Sequence, residues 1–187
     1  MVQPRRETAP AELDDVTLAR AQRGDTAACR ALVERYQRPV FAILGRMCGR
    51  GRAEDLAQET FLRVFKALAG FDRGGAARLS TWIVTIATRL ALDELRRRPL
   101  RTVELDERLP STSRADESAE RRALDAALRR AITDLGPEQR AVVLLREVHG
   151  LEYEEIARAL EVDLGTVKSR LARARAALRA ALEPVHD

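Results

Sequence analysis

The sequence predicts an all-α protein made of two small helical domains joined by a flexible linker, on three observations. Alanine, leucine and arginine abound, while aromatic residues make up only 4% of the 187. Apolar residues recur at spacings of three and four, and no run alternates apolar with polar residues as a half-buried strand does. Residues 99–116 carry two prolines, serines and threonines with no sustained helical period, which marks them as the linker.

The elements follow in order. A tail over residues 1–13 is too brief to be a folded module, and the first domain spans 14–98. It opens with a short helix from Asp14 to Gln22 that ends near Gly24, and Asp25 is placed to cap the next. That helix runs through Cys29, Leu32, Val33 and Tyr36, is kinked or interrupted at Pro39, resumes with Val40, Ile43, Leu44 and Met47, and ends at Gly49 to Gly51. A helix from Ala53 to Ala69, a loop FDRGGAARL and a long helix from Ser80 to Arg98 complete the domain. The second domain, 117–187, begins with Leu124, Leu128, Ile132 and Leu135 on one helix and turns at Gly136 and Pro137. It continues through Val142, Val143, Leu145 and Val148 and closes on two further helices within 150–178.

These last two helices carry the strongest signal. In GLEYEEIARALEVDLGTVKSRLARARAAL a short helix, a tight connection and a second helix form a helix-turn-helix. Val167, Leu171, Ala174 and Leu178 make one inward seam, while Thr166, Ser169, Arg170 and Arg173 lie on an arc roughly opposite. Lys168, Arg175 and Arg179 flank the seam, so five cations and no acid fall between Lys168 and Arg179. Hydroxyls and guanidinium groups on one face donate to phosphates and to guanine O6 and N7, as a helix in a DNA major groove must. The preceding helix offers Ile156, Ala157 and Leu160 as the opposing wall, Glu152, Glu154 and Glu155 in its favourable first turn, and Val162 as a plug at the corner. Glu161 stands where such turns commonly hold glycine, so the turn either avoids a left-handed conformation or tolerates strain.

Charge and motif content narrow the function further. Charged residues are 33%, the net charge is +4 and the sequence pI is near 9.6, a balance that suits a nucleic-acid binder. There is no apolar run long enough for a membrane span and no signal-peptide core at the N-terminus, so a cytoplasmic protein is expected. Cys29 and Cys48 sit in apolar helical patterns and read as reduced core residues. No Walker-type phosphate loop, zinc-ligand spacing or nucleophile–base pair is present; no catalytic residue, metal or cofactor is expected, and His149 and His186 read as capping or solvated groups.

Two helices of the first domain carry surfaces beyond what packing needs. On the helix from Ala53 to Ala69, Ala57, Phe61, Val64, Phe65 and Leu68 form the expected buried face, leaving Asp55, Glu59, Leu62 and Lys66 outside. Leu62 there marks either a docking face or a lone surface leucine. On the helix from Ser80 to Arg98, Trp82, Ile83, Ile86 and Leu90 form the seam. Thr81, Thr85, Arg89, Leu92 and Arg96 line up beside it, near a pliant loop with Arg73, Gly74, Gly75 and Arg78. This set reads either as a single-strand site or as a core tryptophan with cations satisfying a helix C-terminus.

The strings AEDLAQETFLRVFKAL, LSTWIVTIATRLALDELRRR, LGPEQRAVVLLREVHGLEYEEIA and LGTVKSRLARAR, in that order, resemble the extracytoplasmic-function sigma factors, small two-domain members of the sigma-70 family of bacterial RNA polymerase. The resemblance runs from about Asp14 to Leu182 and implies sigma domains 2 and 4. It implies that Asp55, Gln58, Glu59 and Leu62 dock on the polymerase core. It also implies that Arg73, Arg78, Trp82, Thr85, Thr88, Arg89 and Arg96 meet the minus-ten non-template strand. Thr166, Lys168, Ser169, Arg170 and Arg173 would meet the minus-thirty-five duplex. Many relatives carry asparagine where this chain has Arg89. The linker acids Glu104, Asp106 and Glu107 would thread through the polymerase, and an anti-sigma factor is an expected further partner, with no direct membrane insertion. A stand-alone activator or a recombinase could carry the same C-terminal hairpin, but the former would normally dimerise on a two-half-site operator and the latter needs a nucleophilic serine or tyrosine among arginines.

Overall fold

The computed structural model describes residues 12–75, 77–97 and 119–183, and among them it is helical with no strand. The helices are α1 (Asp15–Gln22), α2 (Thr26–Cys48), α3 (Arg50–Leu68), α4 (Leu79–Arg97), α5 (Ala119–Asp134), α6 (Pro137–Val143), α7 (Tyr153–Leu160) and α8 (Leu164–Leu182). α6 runs on into a π-helical turn, Leu144–Val148. The expected linker, with Glu104, Asp106 and Glu107, and His186 in the tail lie outside the described residues.

Local chemistry sets the boundaries. Asp14 caps α1 by accepting from the Thr17 N–H at 2.9 Å, and Asp25 caps α2 through the Ala28 N–H at 2.8 Å. α2 is one continuous helix with Pro39 inside it, so of the kink or interruption open to the sequence the interruption does not occur. Proline removes one backbone donor from the middle of a helix, but Tyr36, Val40, Ile43 and Leu44 on either side are each at most 1% exposed, so packing holds the helix through the lost bond. Gly49, at φ +80°, turns the chain from α2 into α3. Glu12 and Leu13, placed in the tail by sequence, are tied down: the Leu13 N–H donates to the Tyr36 hydroxyl at 3.0 Å, and that hydroxyl donates to Glu12 Oε2 at 3.1 Å.

α2 packs on α1, α3 and α4, while α8 packs on α5, α6 and α7. The two groups also touch, since α4 meets α6 and α7 and α2 meets α5 and α6, and one apolar cluster runs through both. Arg140 of α6 sits at that junction, 5% exposed. Its guanidinium donates to Met47 O of α2 at 2.6 Å, to Leu135 O at 3.0 Å and to Thr133 O. Burial pushes its pKa down. Three carbonyl acceptors answer for the desolvated charge, although its Nε has none. Cys48 is buried with its thiol pushed up to about 11 by desolvation, and neither Cys48 nor Cys29 is in a disulfide.

Candidate nucleic-acid and polymerase interfaces

The recognition hairpin is built by its caps. The Glu152 N–H donates to Glu155 Oε2 at 2.8 Å at the start of α7. Glu161 ends that helix in the left-handed region, φ 55°, ψ 45°, so of the two options open to the sequence the turn takes the strained one. Asp163 then caps α8, accepting from the Thr166 N–H and from the Thr166 hydroxyl, each at 2.7 Å. Those two bonds lower the Asp163 pKa, the side-chain bond first. Thr166, expected free for DNA, thus has its hydroxyl proton committed to the cap. Asp163 was not singled out in the sequence, although an acid two residues before a glycine that opens an apolar seam is an ordinary capping signal.

α8 buries Val167, Leu171 and Ala174, each at most 2% exposed, as the seam requires. Lys168, Ser169 and Arg173 are exposed, and Thr166 and Arg170 are half-buried. The Ser169 hydroxyl donates to Thr166 O at 3.0 Å, and Arg173 donates to Ser169 O and Oγ, both at 3.3 Å. These contacts hold the arginine along the helix with its remaining N–H groups outward. Gly136, Glu138 and Gln139 at the start of α6 share a shallow groove with Thr166, Ser169, Arg170 and Arg173. They form a second edge to the site that helix periodicity alone does not reveal. Arg175 turns away to pair with Glu147 at 2.6 Å.

In the first group, Trp82 is half-buried with its ring centroid 5.0 Å from that of Phe71. The loop between α3 and α4 is organised by Asp72, which accepts from the Gly74 N–H at 2.9 Å through its side chain and from the Gly75 N–H at 3.1 Å through its carbonyl. A Cβ on Gly75 would stand 3.0 Å from that carbonyl, so this glycine is required by close approach. Arg73 forms an ion pair with Asp15, and Arg78 is exposed. Thr85 is half-buried and its hydroxyl donates to Thr81 O at 2.8 Å.

Three expected placements are corrected. Thr88 is fully buried with its hydroxyl on Val84 O at 2.8 Å, and Leu92 is 6% exposed, so neither lies on an open face of α4. The cause is packing on two sides, by α2 and α3 and by α6 and α7. Phe65 of α3 is 36% exposed, because Leu56 and Thr60 are buried and swing the inward stripe away from it. It joins Leu62, 49% exposed, on the outer side. Of the other residues there, Asp55 and Gln58 are exposed, and Glu59 accepts from Arg63 at 2.8 Å.

Arg89 and Arg96 are held by the second group. Arg89 donates to Ala159 O at 2.7 Å and to Arg158 O at 3.1 Å at the end of α7, and pairs with Glu161 at 2.8 Å. Arg96 pairs with Asp93 at 3.5 Å and reaches Glu138 of α6 at 3.9 Å.

The chain matches the family described as Sigma-70 region 2 over residues 32–99 and that described as Sigma-70, region 4 over residues 125–178. It is 34% identical over 187 residues to the RNA polymerase sigma-H factor of Pseudomonas aeruginosa, covering 93% of this chain and 96% of that one. It is also 34% identical over 184 residues to the ECF RNA polymerase sigma-E factor of Escherichia coli K12, covering 92% of this chain and 95% of that one. The chain belongs to the ECF sigma-70 family. The helix-turn-helix of α7 and α8 falls in its region 4, and α3 with α4 falls in its region 2. Two solved structures share the fold. One is the sigma factor RpoE in complex with the anti-sigma factor NepR from Bartonella quintana, with TM-score 0.66, 21% identity, and 82% and 96% of the two chains covered. The other is CnrH in complex with the cytosolic domain of CnrY, with TM-score 0.63, 25% identity, and 90% and 96% covered. As a sigma factor this protein serves transcription initiation with RNA polymerase and promoter DNA. None of its described helices is long and apolar enough to cross a membrane.

Proposed function

We propose that this sigma factor selects a two-part promoter, using a module over 14–98 for the polymerase core and the minus-ten strand, and one over 117–187 for the minus-thirty-five duplex. The tail 1–13 and linker 99–116 flank and join them. The observation that carries the reading is the outward arc of α8, where Ser169 and Arg173 are exposed, with Lys168 exposed at the flank, above a seam of Val167, Leu171 and Ala174 that is at most 2% exposed. In the major groove these residues and Arg170 donate to base edges and phosphates, while Thr166 positions the helix start with Asp163.

On the other module, Asp55, Gln58, Glu59 and Leu62, joined by Phe65, form the polymerase docking face of α3. Trp82, Thr85, Arg89, Arg96, Arg73 and Arg78 then meet the separated minus-ten strand. Bases caught outside the stack do not re-pair, so capture offsets a few kcal/mol of unpairing without nucleotide hydrolysis. Polymerase docking holds two weak DNA readers on one chain, and each raises the effective concentration of the other. Chemistry belongs to the polymerase, and the sigma factor works in the cytoplasm on a stress or signal regulon. The similar sigma factor RpoE was solved with the anti-sigma factor NepR, and the similar CnrH with the cytosolic domain of CnrY, which supports an anti-sigma partner for this one.

Run-off transcription tests the reading. Core polymerase plus this protein should start RNA on promoters recovered by mapping transcript starts after overexpression, and neither component alone should do so. Initiation that ignores both upstream elements would overturn it.

A further inference from the structure

Two residues in different halves of the chain bring opposite charges to one place: Arg89 on α4, and Glu161 in a turn that commonly takes glycine. The structure joins them. The Arg89 guanidinium spans the C-terminal end of α7, bonding the carbonyls of Arg158 and Ala159 and the Glu161 carboxylate. Those are the carbonyls a helix leaves without intrahelical partners, and the negative end of its dipole adds to the attraction for a cation. Glycine at 161 would supply no carboxylate but would leave the two carbonyl acceptors in place, so the ion pair, and not the whole contact, depends on Glu161.

Its place in the fold gives it a consequence. Arg89 lies on the face of α4 proposed for the minus-ten strand, and α6 and α7 pack against part of α4, leaving the Arg89 and Arg96 side chains 43% and 65% exposed. Arg140 to Met47 O and Arg96 to Glu138 bridge the same two helix groups. We propose that Arg89 and Glu161 form an intramolecular latch that keeps the helix-turn-helix elbow on the minus-ten surface, so that the free protein shields its own single-strand reader until polymerase draws the two modules apart. The latch rests on the reading of Arg89 as a minus-ten residue; closure itself is measured without DNA. When the modules separate, the guanidinium exchanges helix carbonyls for nucleic-acid acceptors. The same arginine then serves both states.

The test uses the full chain and reads closure and DNA binding separately. Spin labels at Gln58 on α3 and Ala172 on α8, in a Cys29→Ser background with Cys48 left buried, report the closed and open populations by pulsed dipolar spectroscopy. Glu161→Gly removes the carboxylate and also relieves a positive φ, so loss of fold does not explain an effect. It should lower the closed-to-open ratio by about 1.4- to fivefold, the scale of an exposed ion pair. Arg89→Glu should open the chain similarly, and adding Glu161→Arg should close it again. The Glu161→Gly protein should also bind a fluorescent single-stranded minus-ten oligonucleotide more tightly, by about the same factor. Unchanged distances in both single variants overturn the latch. Opening without tighter binding overturns the shielding. Failure of the wild-type protein to direct run-off transcription would instead strike the promoter-reading assignment, whatever the distances show.

Discussion

α4 and α8 are both 19-residue helices that carry arginines on one side and an apolar seam on the other, yet the structure treats them differently. The outward arc of α8 is open, with Ser169 and Arg173 in solvent and Lys168 exposed at its flank. The corresponding arc of α4 is covered in part: Thr88 and Leu92 are buried, and Arg89 is bonded to α7 with its side chain still 43% exposed. An apolar seam shows which side of a helix must be buried, but not whether the other side is also covered, because polar side chains can satisfy one another across a contact. A surface offered to DNA in one state can thus be an internal surface in another.

The largest effect should come from the junction behind that contrast. Arg140→Met removes the cation and leaves the carbonyls of Met47, Thr133 and Leu135 without its N–H groups. Breaking a buried charged contact from one side costs about 3 kcal/mol or more. Urea unfolding should show that loss, whereas Arg173→Ala, on the open face of α8, should leave the midpoint within about 0.5 kcal/mol. Equal loss in both would erase the distinction between covered and open arginines.

Acid should act on the covered side as well. His149 lines the cleft between the groups together with residues of α2 and α4, and its Nε2 is buried without a hydrogen-bond partner. Burial first, and Arg46 second, lower its pKa from 6.5 to about 4. The unfolded chain takes up a proton below pH 6.5 that the folded chain resists until about pH 4. The stability held by neutral His149 is therefore complete above the unfolded value and is lost as pH falls through that window. The ceiling is about 3 kcal/mol. His149→Gln should flatten the decline in melting temperature over this window; an unaltered slope would remove His149 as the cause.

The open face should respond in binding rather than in stability. Arg173→Ala and Lys168→Ala should each weaken binding to a minus-thirty-five duplex by about 1 to 2 kcal/mol. Titration against salt separates their roles, since loss of one phosphate contact reduces the slope of log affinity by about 0.9. A variant that loses affinity with the slope intact reads bases. A loss of slope alone assigns the residue to the backbone.

The readable parts of the fold were those where one side of a helix packs and the other does not. The seam of Val167, Leu171 and Ala174, the cap at Asp25, and the helical order around them follow from spacing and capping chemistry. Pro39 does not interrupt its helix because the residues around it are so deeply packed that tertiary contacts outweigh one missing bond. Phe65 misled because the seam of α3 was drawn through the aromatic residues, while Thr60 is fully buried with its hydroxyl on Leu56 O. The groove edge at Gln139 and the bond from Arg89 to α7 were illegible for a different reason. Both join residues that are at least 27 positions apart in the chain, and no local period encodes such a pairing.

The smallest effect is also the most discriminating, because it sets two terms against each other at one residue. Glu161 is held at φ 55°, which costs a residue with a Cβ about 1 kcal/mol. Its side chain pairs with Arg89 at 2.8 Å, and at 75% exposure such a pair contributes only about 0.2 to 1 kcal/mol. In an Arg89→Ala background, Glu161→Gly should therefore stabilise the protein by nearly the whole strain term. In the wild-type background the gain should shrink by the share the pair supplies. Thermal unfolding of the four proteins closes this cycle, and its coupling term is the contribution of the pair alone. A coupling of zero, with a full gain in both backgrounds, would mean that Arg89 is held by the α7 carbonyls without help from the carboxylate.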